Sequence, residues 1–371
     1  MSERWRCLIE DGVGAADGLA TDDALLRHAP RQGTSLRLYT YRTHCALVGR
    51  FQNVEAELDL DACAETGTQV GRRPTGGGAI VMGRDQLGIA LVTPVVPGAA
   101  THPRALLARY AQGVRGGLDS IGIRAELRGK NDLVVDGKKV AGLGIAVIPG
   151  AALFHCSLLV DLDVTFMLRV LRVPARALGA GATAAVVRRV TTVRREGGRN
   201  LSLEAVRGGV SEGFARAFGA TLVPGSLDDA EREAARTLAL ERHAAPEWLF
   251  PPRLREERHG EGTVDTLLGT VHAAVTLSGD VIAAVLVSGD FVGSESAVGE
   301  FESSLRWTRP SRRILRERAM AVADAVGIRA DDLADAVWQA CVEARAAGRN
   351  TGACYYPAVA DGVAEIAGGG R

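Results

Sequence analysis

The spacing of apolar residues alternates along this chain between the periods of helices and of strands. Residues 14–28 and 104–121 place apolar side chains on one helical face, whereas residues 35–51 read as extended. Thr21 or Asp22 is a candidate cap for a turn inside the first of these segments. The sequence therefore predicts a fold that mixes helices with strands.

Turn signals divide several extended segments. In the first strand segment, Leu36, Leu38 and Thr40 share one face. Further along, Asp-Gly at 136–137 and Pro-Gly at 149–150 separate apolar runs of strand length. We therefore predict two or three paired strands in the middle of the chain.

The end of the chain is predicted to form a small domain of its own. Residues 241–262 carry two consecutive prolines and a run of charges, which is typical of a linker. Residues 271–292 predict a hairpin that turns at 278–280, and two amphipathic helices follow it. A large domain should therefore precede a smaller domain of strands and helices.

Composition limits the partners that the chain could have. The 371 residues include 44 basic and 44 acidic side chains, and this zero net charge gives no argument for binding nucleic acid or an anionic membrane. No run approaches the ~20 apolar residues of a membrane span. The six cysteines show no CxxC pair and no histidine at metal spacing. We expect a soluble, cytoplasmic protein with reduced thiols and no zinc site.

Lysine is nearly absent from this chain. Among the 44 basic residues, the three lysines are Lys130, Lys138 and Lys139, all inside ten residues. An ammonium is a compact point charge that enters a narrow pocket and meets a carboxylate or phosphate oxygen, which a planar guanidinium does less easily. The cluster therefore indicates an anion site, and the alternative is a lysine-rich turn that was kept by chance.

A glycine-rich segment, GRRPTGGG, occupies residues 71–78. Consecutive glycines let a backbone approach a ligand closely and turn its N–H groups toward it, and Arg72 and Arg73 add positive charge. The segment predicts anion binding or close wrapping of an elongated ligand. The alternative is a hairpin loop that needs glycine for its geometry alone. It matches neither GxxxxGK[ST] nor GxGxxG, so neither a P-loop nor a Rossmann site is predicted.

Three motifs taken together resemble a known family. The string RRPTGGGAIV is followed by GKNDLVVDGKKVAG and then by FHCSLLVDLD, in the order found in lipoate-protein ligases of the biotin and lipoate protein ligase superfamily. The resemblance implies an α+β fold of mixed or antiparallel sheets with packed helices. It implies a catalytic domain over 1–250 and a small α+β accessory domain over 251–371.

The resemblance also implies a two-step acyl transfer. Lipoate or octanoate would react with ATP and Mg²⁺ to give an acyl-adenylate, and a lysine on a lipoyl-carrier domain would then take the acyl group. The carrier would belong to a 2-oxoacid dehydrogenase or be an H-type protein of glycine cleavage. We expect a monomer that binds neither nucleic acid nor membrane.

The family motifs assign roles to residues of this chain. Lys139 matches the lysine that contacts the reacting carboxylate and phosphate, and Asp132 would orient it or hold Mg²⁺. Lys138 is expected in solvent, because strand neighbours face opposite ways. The predicted substrate and adenylate positions are Arg72, Arg73, Thr75, Gly76, Gly77, Gly78, Ala79, Ile80, Val81, Asn131, Gly142 and His155. The resemblance leaves open a purely structural role for either Arg72 or Arg73.

Two departures from the family pattern leave alternatives open. The histidine that commonly follows the apolar pair after the glycines is missing here, because Met82 and Gly83 follow instead, so the acyl specificity stays open. His155 is either a site residue or a core histidine bonded to a carbonyl.

Cys156 offers a second mechanism. Related transferases move octanoyl or lipoyl groups through a cysteine thioester without ATP. The alternative is a small buried residue on a central strand, since His155 and Cys156 should face opposite ways. A noncatalytic lipoyl-binding homologue is a third hypothesis. Biotin ligation remains a competitor, because the residues Lys130-Asn131-Asp132 also fit biotin ligases.

Overall fold

The computed structural model describes residues 2–95, 103–129, 131–172, 182–250, 259–267 and 269–347. The chain divides into two compact units. The first contains Met1–Pro251 with the later segments Leu267–Gly269 and Gly289–Glu295, and the second contains Pro252–Thr266, Thr270–Ser288 and Ser296–Arg371. Lys130 and the predicted tail from residue 348 lie outside the described residues.

Fourteen strands are present among the described residues. They are β1 (Glu3–Val13), β2 (Ser35–Tyr41), β3 (Cys45–Val48), β4 (Gln69–Arg72), β5 (Ile80–Met82), β6 (Gln86–Pro94), β7 (Glu126–Arg128), β8 (Asp132–Val135), β9 (Lys138–Ile148), β10 (Ala151–Leu159), β11 (Ala220–Pro224), β12 (His259–Thr266), β13 (Gly269–Ser278) and β14 (Val281–Gly289).

Helices connect these strands. They are α1 (Ala15–Gln32), α2 (Val54–Glu57), α3 (Leu60–Glu65), α4 (Pro103–Ser120), α5 (Val164–Val170), α6 (Ala182–Arg189), α7 (Val193–Gly197), α8 (Leu203–Phe218), α9 (Asp229–Leu238), α10 (Pro246–Leu249), α11 (Glu295–Leu305), α12 (Arg312–Val326) and α13 (330–347). Within the described part of the chain, no helix is both long and apolar enough to cross a bilayer.

The first unit is built on a mixed sheet of eight strands in the order β11-β1-β2-β6-β10-β9-β8-β7. β1 runs parallel to β11 and β2, whereas the pairs from β2 onward are antiparallel. A second sheet, β4-β3-β5, carries the glycine-rich loop between β4 and β5. The predicted α+β class with mixed sheets and packed helices is confirmed.

The second unit contains a three-stranded sheet in the order β12-β13-β14. The predicted hairpin turning at residues 278–280 joins β13 to β14. The helices that the sequence predicted after it are α12 and α13, and α11, which was not predicted, precedes them.

Each face of the eight-stranded sheet has its own core. One face packs against α4 and α8, and the other packs against α1. Strand alternation divides β10 between them, since Phe154 and Cys156 lie in the core on the α4 and α8 side, whereas Leu153 lies in the core on the α1 side. His155 and Ser157 alternate with Cys156 along the strand and therefore lie on the α1 side of the sheet.

One local prediction was wrong, and two others need their bounds refined. Neither Thr21 nor Asp22 caps a helix, because α1 begins at Ala15 and both residues lie in its interior. The extended segment 35–51 is two strands with a bend between them. The linker predicted over 241–262 contains the boundary between the two units at residues 251 and 252, and its first part is helical up to residue 249, apart from short turns. Pro246 occupies the first turn of α10, where its missing N–H costs nothing.

Candidate active site

Arg72 fixes the base of the glycine-rich loop. Its guanidinium donates to five backbone carbonyls, three within residues 49–52 and two at residues 248 and 249, at 2.6–3.1 Å. Burial lowers the pKa of Arg72 to about 10. Because its donors point at the main chain, Arg72 holds the loop and does not reach the pocket.

Arg73 turns toward the pocket. It donates to the carbonyls of Leu47 at 2.6 Å and Gly78 at 2.8 Å, and burial lowers its pKa to about 10. Among the described residues no carboxylate forms an ion pair with it. Carbonyl oxygens do not neutralise the charge of a buried guanidinium. Arg73 would therefore be stabilised by an anionic group on a bound ligand.

The tip of the loop is held against a late segment of the chain. The N–H of Gly77 donates to the carbonyl of Phe291 at 3.0 Å, and Gly77 has a φ of 101° that L side chains rarely adopt. A Cβ at Gly76 would lie 2.3 Å from that same carbonyl oxygen. Glycine is therefore required at both positions.

His155 connects the loop to α1. Its Nδ1 lies 3.1 Å from Oγ1 of Thr75, and its Nε2 lies 2.9 Å from Oδ2 of Asp22. The same buried carboxyl accepts from Arg37 at 2.7 Å and from the Tyr39 hydroxyl at 2.9 Å. Burial opposes the charge of Asp22, but Arg37 and His155 together lower its pKa. His155 therefore bonds to a carboxylate and a hydroxyl rather than to the predicted carbonyl.

A break in strand register turns Lys139 toward the site. β8 and β9 pair Leu133 with Ala141, and the next pair joins Val134 to Lys139, so Val140 has no partner of its own. Such a bulge reverses the side-chain alternation on one strand. Lys139 therefore lies on the same face of β9 as Gly142 and Gly144, which also line the pocket. Regular alternation would have placed Lys139 on the opposite face.

Lys139 forms an ion pair with Asp132. Its Nζ lies 2.7 Å from Oδ1 of Asp132, and the two side chains are 35% and 38% exposed. Lys138 is exposed, as its place in the strand predicts. A Mg²⁺ ion here would have Asp132 as a protein ligand and would need phosphate or water oxygens for the rest, because no cluster of three metal-ligating side chains occurs among the described residues.

Asn131 bridges two strands beside the loop. Its side-chain amide donates to the carbonyl of Leu143 at 2.7 Å, and the N–H of Leu143 donates back to the Asn131 carbonyl at 2.8 Å. A Cβ on Gly77 would lie 3.0 Å from Nδ2 of Asn131. Asn131 therefore supports the loop beside Gly77.

A pocket opens between the loop and the eight-stranded sheet. The predicted site residues that line it are Arg73, Gly78, Ala79, Ile80, Asn131, Lys139, Gly142 and His155. The predicted residues that do not line it are Arg72, Thr75, Gly76, Gly77, Val81 and Asp132. Val81 packs with Ala46 and Val48 in a separate core and is turned away. The remaining members of this group hold the loop or pair with Lys139.

Sequence reasoning missed part of the pocket wall. The additional lining residues are Tyr39, Tyr41, Leu47, Met82, Gly88, Leu143, Gly144 and Ser157. Tyr39 and Tyr41 were detectable, because a strand with Leu36 and Leu38 on one face presents both tyrosines on the other. Ser157 follows from the same rule once Cys156 is assigned to the core.

Cys156 borders the pocket but packs in the core. It is 2% exposed and belongs to the apolar cluster on the α4 and α8 side of the sheet. Burial raises the pKa of its thiol far above the ordinary value, and the nearby charge of Lys139 opposes this shift more weakly. The thiol therefore lies at the wall of the pocket, and a nucleophilic role would require its deprotonation, which burial disfavours.

Comparisons with known proteins agree on one family. The family model described as the lipoyl protein ligase A/B catalytic domain matches residues 15–215. An octanoyltransferase, LipM, from Kyrpidia tusciae is 30% identical over 272 residues, which cover 67% of this chain and 99% of that protein.

Solved structures show the same likeness. A bipartite lipoate protein ligase of Thermoplasma acidophilum, described with its E2 lipoyl domain, has 25% identity and a TM-score of 0.61 and covers 69% of this chain and all of that one. A lipoate-protein ligase A bound with ATP has 26% identity and a TM-score of 0.58 over 67% of this chain and 98% of that one.

Proposed function

This chain belongs to the lipoyl protein ligase A/B catalytic-domain family, and we propose that it transfers an octanoyl group from a thioester donor to a lysine of a lipoyl-carrier domain. The observation that carries the proposal is the likeness to the octanoyltransferase LipM, which extends over 99% of that relative. No ATP takes part in this reaction, and the octanoyl group passes to the carrier lysine either directly or through a thioester on Cys156, which lines the pocket.

The pocket supplies what such a transfer needs. The amine of the carrier lysine attacks the thioester carbonyl, and the carbonyl oxygen gains negative charge. The ammonium of Lys139 stabilises that oxygen, because a fixed positive charge is most effective where charge develops. Collapse of the intermediate expels the donor thiolate, which takes the proton that the amine loses. The products are an amide on the carrier and a free thiol.

The apolar wall of the pocket suits an acyl chain. Tyr39, Tyr41, Leu47, Ile80 and Met82 line it beside the polar end that holds Lys139. Pockets of this kind bind an apolar body and fix it with a few polar groups. This distribution supports a medium-length carboxylic acyl group as the substrate.

ATP-dependent ligation is the second candidate function, and one observation favours it. Arg73 is a buried guanidinium that lines the pocket and meets carbonyls alone, and a phosphate or carboxylate would complete its environment. The likeness to the ATP-bound ligase agrees with this candidate. The acid would then be lipoate or octanoate, with Asp132 as a ligand of Mg²⁺ on the phosphates.

One experiment separates the two candidates. The protein is incubated with a lipoyl-carrier domain and either octanoyl thioester without ATP, or octanoate or lipoate with ATP and Mg²⁺. The mass of the carrier and the release of pyrophosphate are followed. A mass gain with the thioester alone supports the octanoyl transfer. A gain that requires ATP and releases pyrophosphate contradicts it and supports ligation. No gain under either condition contradicts both and leaves a binding protein.

A further inference from the structure

The end of helix α6 lies beside Lys139. The pairing of β10 with β9 ends before it reaches Lys139, so this edge of β9 is open. Val190 occupies the edge with a parallel bridge to Lys139, and the N–H of Thr191 donates to the Lys139 carbonyl at 2.8 Å. Arg188 and Arg189 belong to the last turn of α6, directly before this contact. Two arginines are therefore held next to the polar end of the pocket.

Arg128 adds a third cation at the same end of the pocket. It pairs with Asp132 across β7 and β8, and directly paired residues point to the same face of a sheet. The Asp132 carboxylate in turn lies 2.7 Å from Nζ of Lys139, whose side chain is 35% exposed. We call Arg128, Arg188 and Arg189 the arginine rim, because they lie near the end of the pocket where Lys139 meets solvent.

The arginine rim carries positive charge that has no partner. Its three residues are exposed, and none forms an ion pair with another described residue. On this face of β7 and β8 the acids are Glu126 and Asp132, and Asp132 is already paired with Lys139, while α6 contains no acid. Residues 182–200 hold five arginines against the single acid Glu196. Since the whole chain has zero net charge, this excess is local.

Such a rim selects among the amines that could enter the pocket. A lysine arrives as an ammonium, since its ordinary pKa is about 10.4. The rim, Lys139 and the buried Arg73 carry the same sign of charge, so an isolated ammonium is repelled at the mouth. A lysine that is set among carboxylates is attracted instead, because the carboxylates pair with the rim. Once the lysine is bound, the nearby cations lower its pKa and favour the neutral amine that attacks.

We propose that the arginine rim docks an acidic protein face, namely the carboxylates that surround the acceptor lysine of the lipoyl-carrier domain. The inference rests on the acyl transfer proposed above and holds for a thioester or an adenylate donor. Charges at the edge of an interface act on the encounter and on the choice of partner more than on the chemical step. The rim should therefore affect the KM for the carrier and leave kcat and the KM for the acyl donor nearly unchanged.

The test measures carrier acylation by the full-length protein at low and high salt. The double variant Arg188→Gln with Arg189→Gln is expected to raise the carrier KM by roughly tenfold at low salt, because two exposed charge pairs are lost. Its kcat and its donor KM should stay within about twofold of wild type. At about 0.5 M salt the difference in carrier KM should shrink below about threefold, because the charges are screened.

A matched double variant controls for the loss of two exposed cations. Arg4 on β1 and Arg31 on α1 are exposed and form no ion pair with a described residue, and β1 is separated from β9 by three strands of the sheet. Arg4→Gln with Arg31→Gln should keep the carrier KM within about twofold at both salt concentrations. Thermal unfolding is recorded for both double variants, so that a loss of folding is not read as a loss of docking.

The partner side is tested in the same assay. The carboxylates nearest the acceptor lysine of the carrier are replaced by amides. This carrier should show a raised KM with the wild type and little further increase with the Arg188→Gln, Arg189→Gln variant, since groups that act on each other give non-additive effects. Binding of each carrier is also titrated without acyl donor, which tests the surface independently of turnover.

Several outcomes would overturn the inference. Equal carrier KM values in the rim and control variants, or an increase that persists at high salt, would show that the rim does not attract the carrier. Additive effects of the carrier and rim substitutions would place the carboxylates elsewhere. If the wild type binds no carrier, the docking surface is refuted. If it binds the carrier through the rim but transfers no acyl group from any donor, the proposed function fails and the docking surface stands.

Discussion

Lys138 and Lys139 are adjacent on β9, and the bulge at Val140 places Lys139 on the pocket side. Lys139→Met is expected to lower kcat by at least about 10²-fold, because the developing oxyanion loses its fixed positive charge. Lys138→Met removes the same charge from an exposed position and should change kcat by less than about twofold. Carrier mass against time measures both. Equal losses in the two variants would show that the local positive charge matters rather than the position of Lys139.

Single residues also show where sequence reasoning stops. Alternation along a strand correctly assigned Lys138 to solvent and separated His155 from Cys156. The partners of Arg72 at residues 248 and 249 and the partner of His155 at Asp22 come from distant parts of the chain. Hydrogen-bond partners of this kind depend on tertiary packing, which one sequence does not reveal. The sequence therefore named the polar residues of the site without separating those that hold the loop from those that face the pocket.

A buried polar cluster joins three elements at the back of the pocket, and its stability should depend on pH. Asp22 on α1 binds Arg37 on β2 and His155 on β10. Asp22→Asn should lower the free energy of unfolding by about 3–5 kcal/mol at neutral pH, because the buried Arg37 guanidinium loses its buried carboxylate partner and keeps Glu10, which is partly exposed.

The sign of the pH dependence follows from the lowered pKa of Asp22, for which the ordinary value is 3.8. A carboxyl whose pKa falls on folding stabilises the protein fully above its unfolded pKa and loses this contribution as the pH falls through the folded pKa. The difference between wild type and Asp22→Asn should therefore shrink below pH 3.8, which urea unfolding at several pH values measures. Glu212→Gln, which removes an exposed pair with Arg216, should show a difference of at most about 1 kcal/mol. A difference for Asp22→Asn that stays constant with pH would contradict the argument.

The crossing of α4 and α8 depends on glycine. A Cβ on Gly213 would lie 2.1 Å from the backbone nitrogen of Gly117, whereas a Cβ on Gly208 of the same helix would meet nothing within 4 Å. Gly213→Ala should lower the free energy of unfolding by about 1–3 kcal/mol or more, since two backbones must separate. Gly208→Ala should raise it by about 0.5–1 kcal/mol, because alanine favours the helix. Urea unfolding tests both, and equal effects would show that the crossing tolerates a methyl group.

The same crossing explains which elements the sequence could predict. The pattern over residues 104–121 identified α4 nearly to its ends, because its apolar residues keep helical spacing. α8 was not predicted, since Gly208, Gly209 and Gly213 lower its helix propensity and hide the pattern. Its stability comes from packing against α4 rather than from its own sequence. Elements that depend on a partner in this way need the structure to be recognised.

At the scale of the whole molecule, the near absence of lysine has a chemical consequence. A protein that binds activated acyl groups exposes its own amines to acylation, whereas a guanidinium stays protonated and does not react. Three of the chain's 44 basic residues are lysines, and the rest are arginines. We therefore expect little self-acylation when the wild type is incubated with acyl donor and no carrier, as intact mass would show.

A matched pair of substitutions makes this expectation quantitative. Arg128 on β7 pairs with Asp132, which contacts Lys139, so Arg128→Lys places a new amine one strand from the pocket. Arg236→Lys places one on α9, outside the pocket lining, where the side chain of Arg236 is 73% exposed. The first variant should gain an acyl group at residue 128, located by peptide mass, and the second should remain unmodified. Heavy labelling of the wild type at Lys138, or equal labelling of the two variants, would show that scarce lysine gives no protection and that acyl groups react after leaving the pocket.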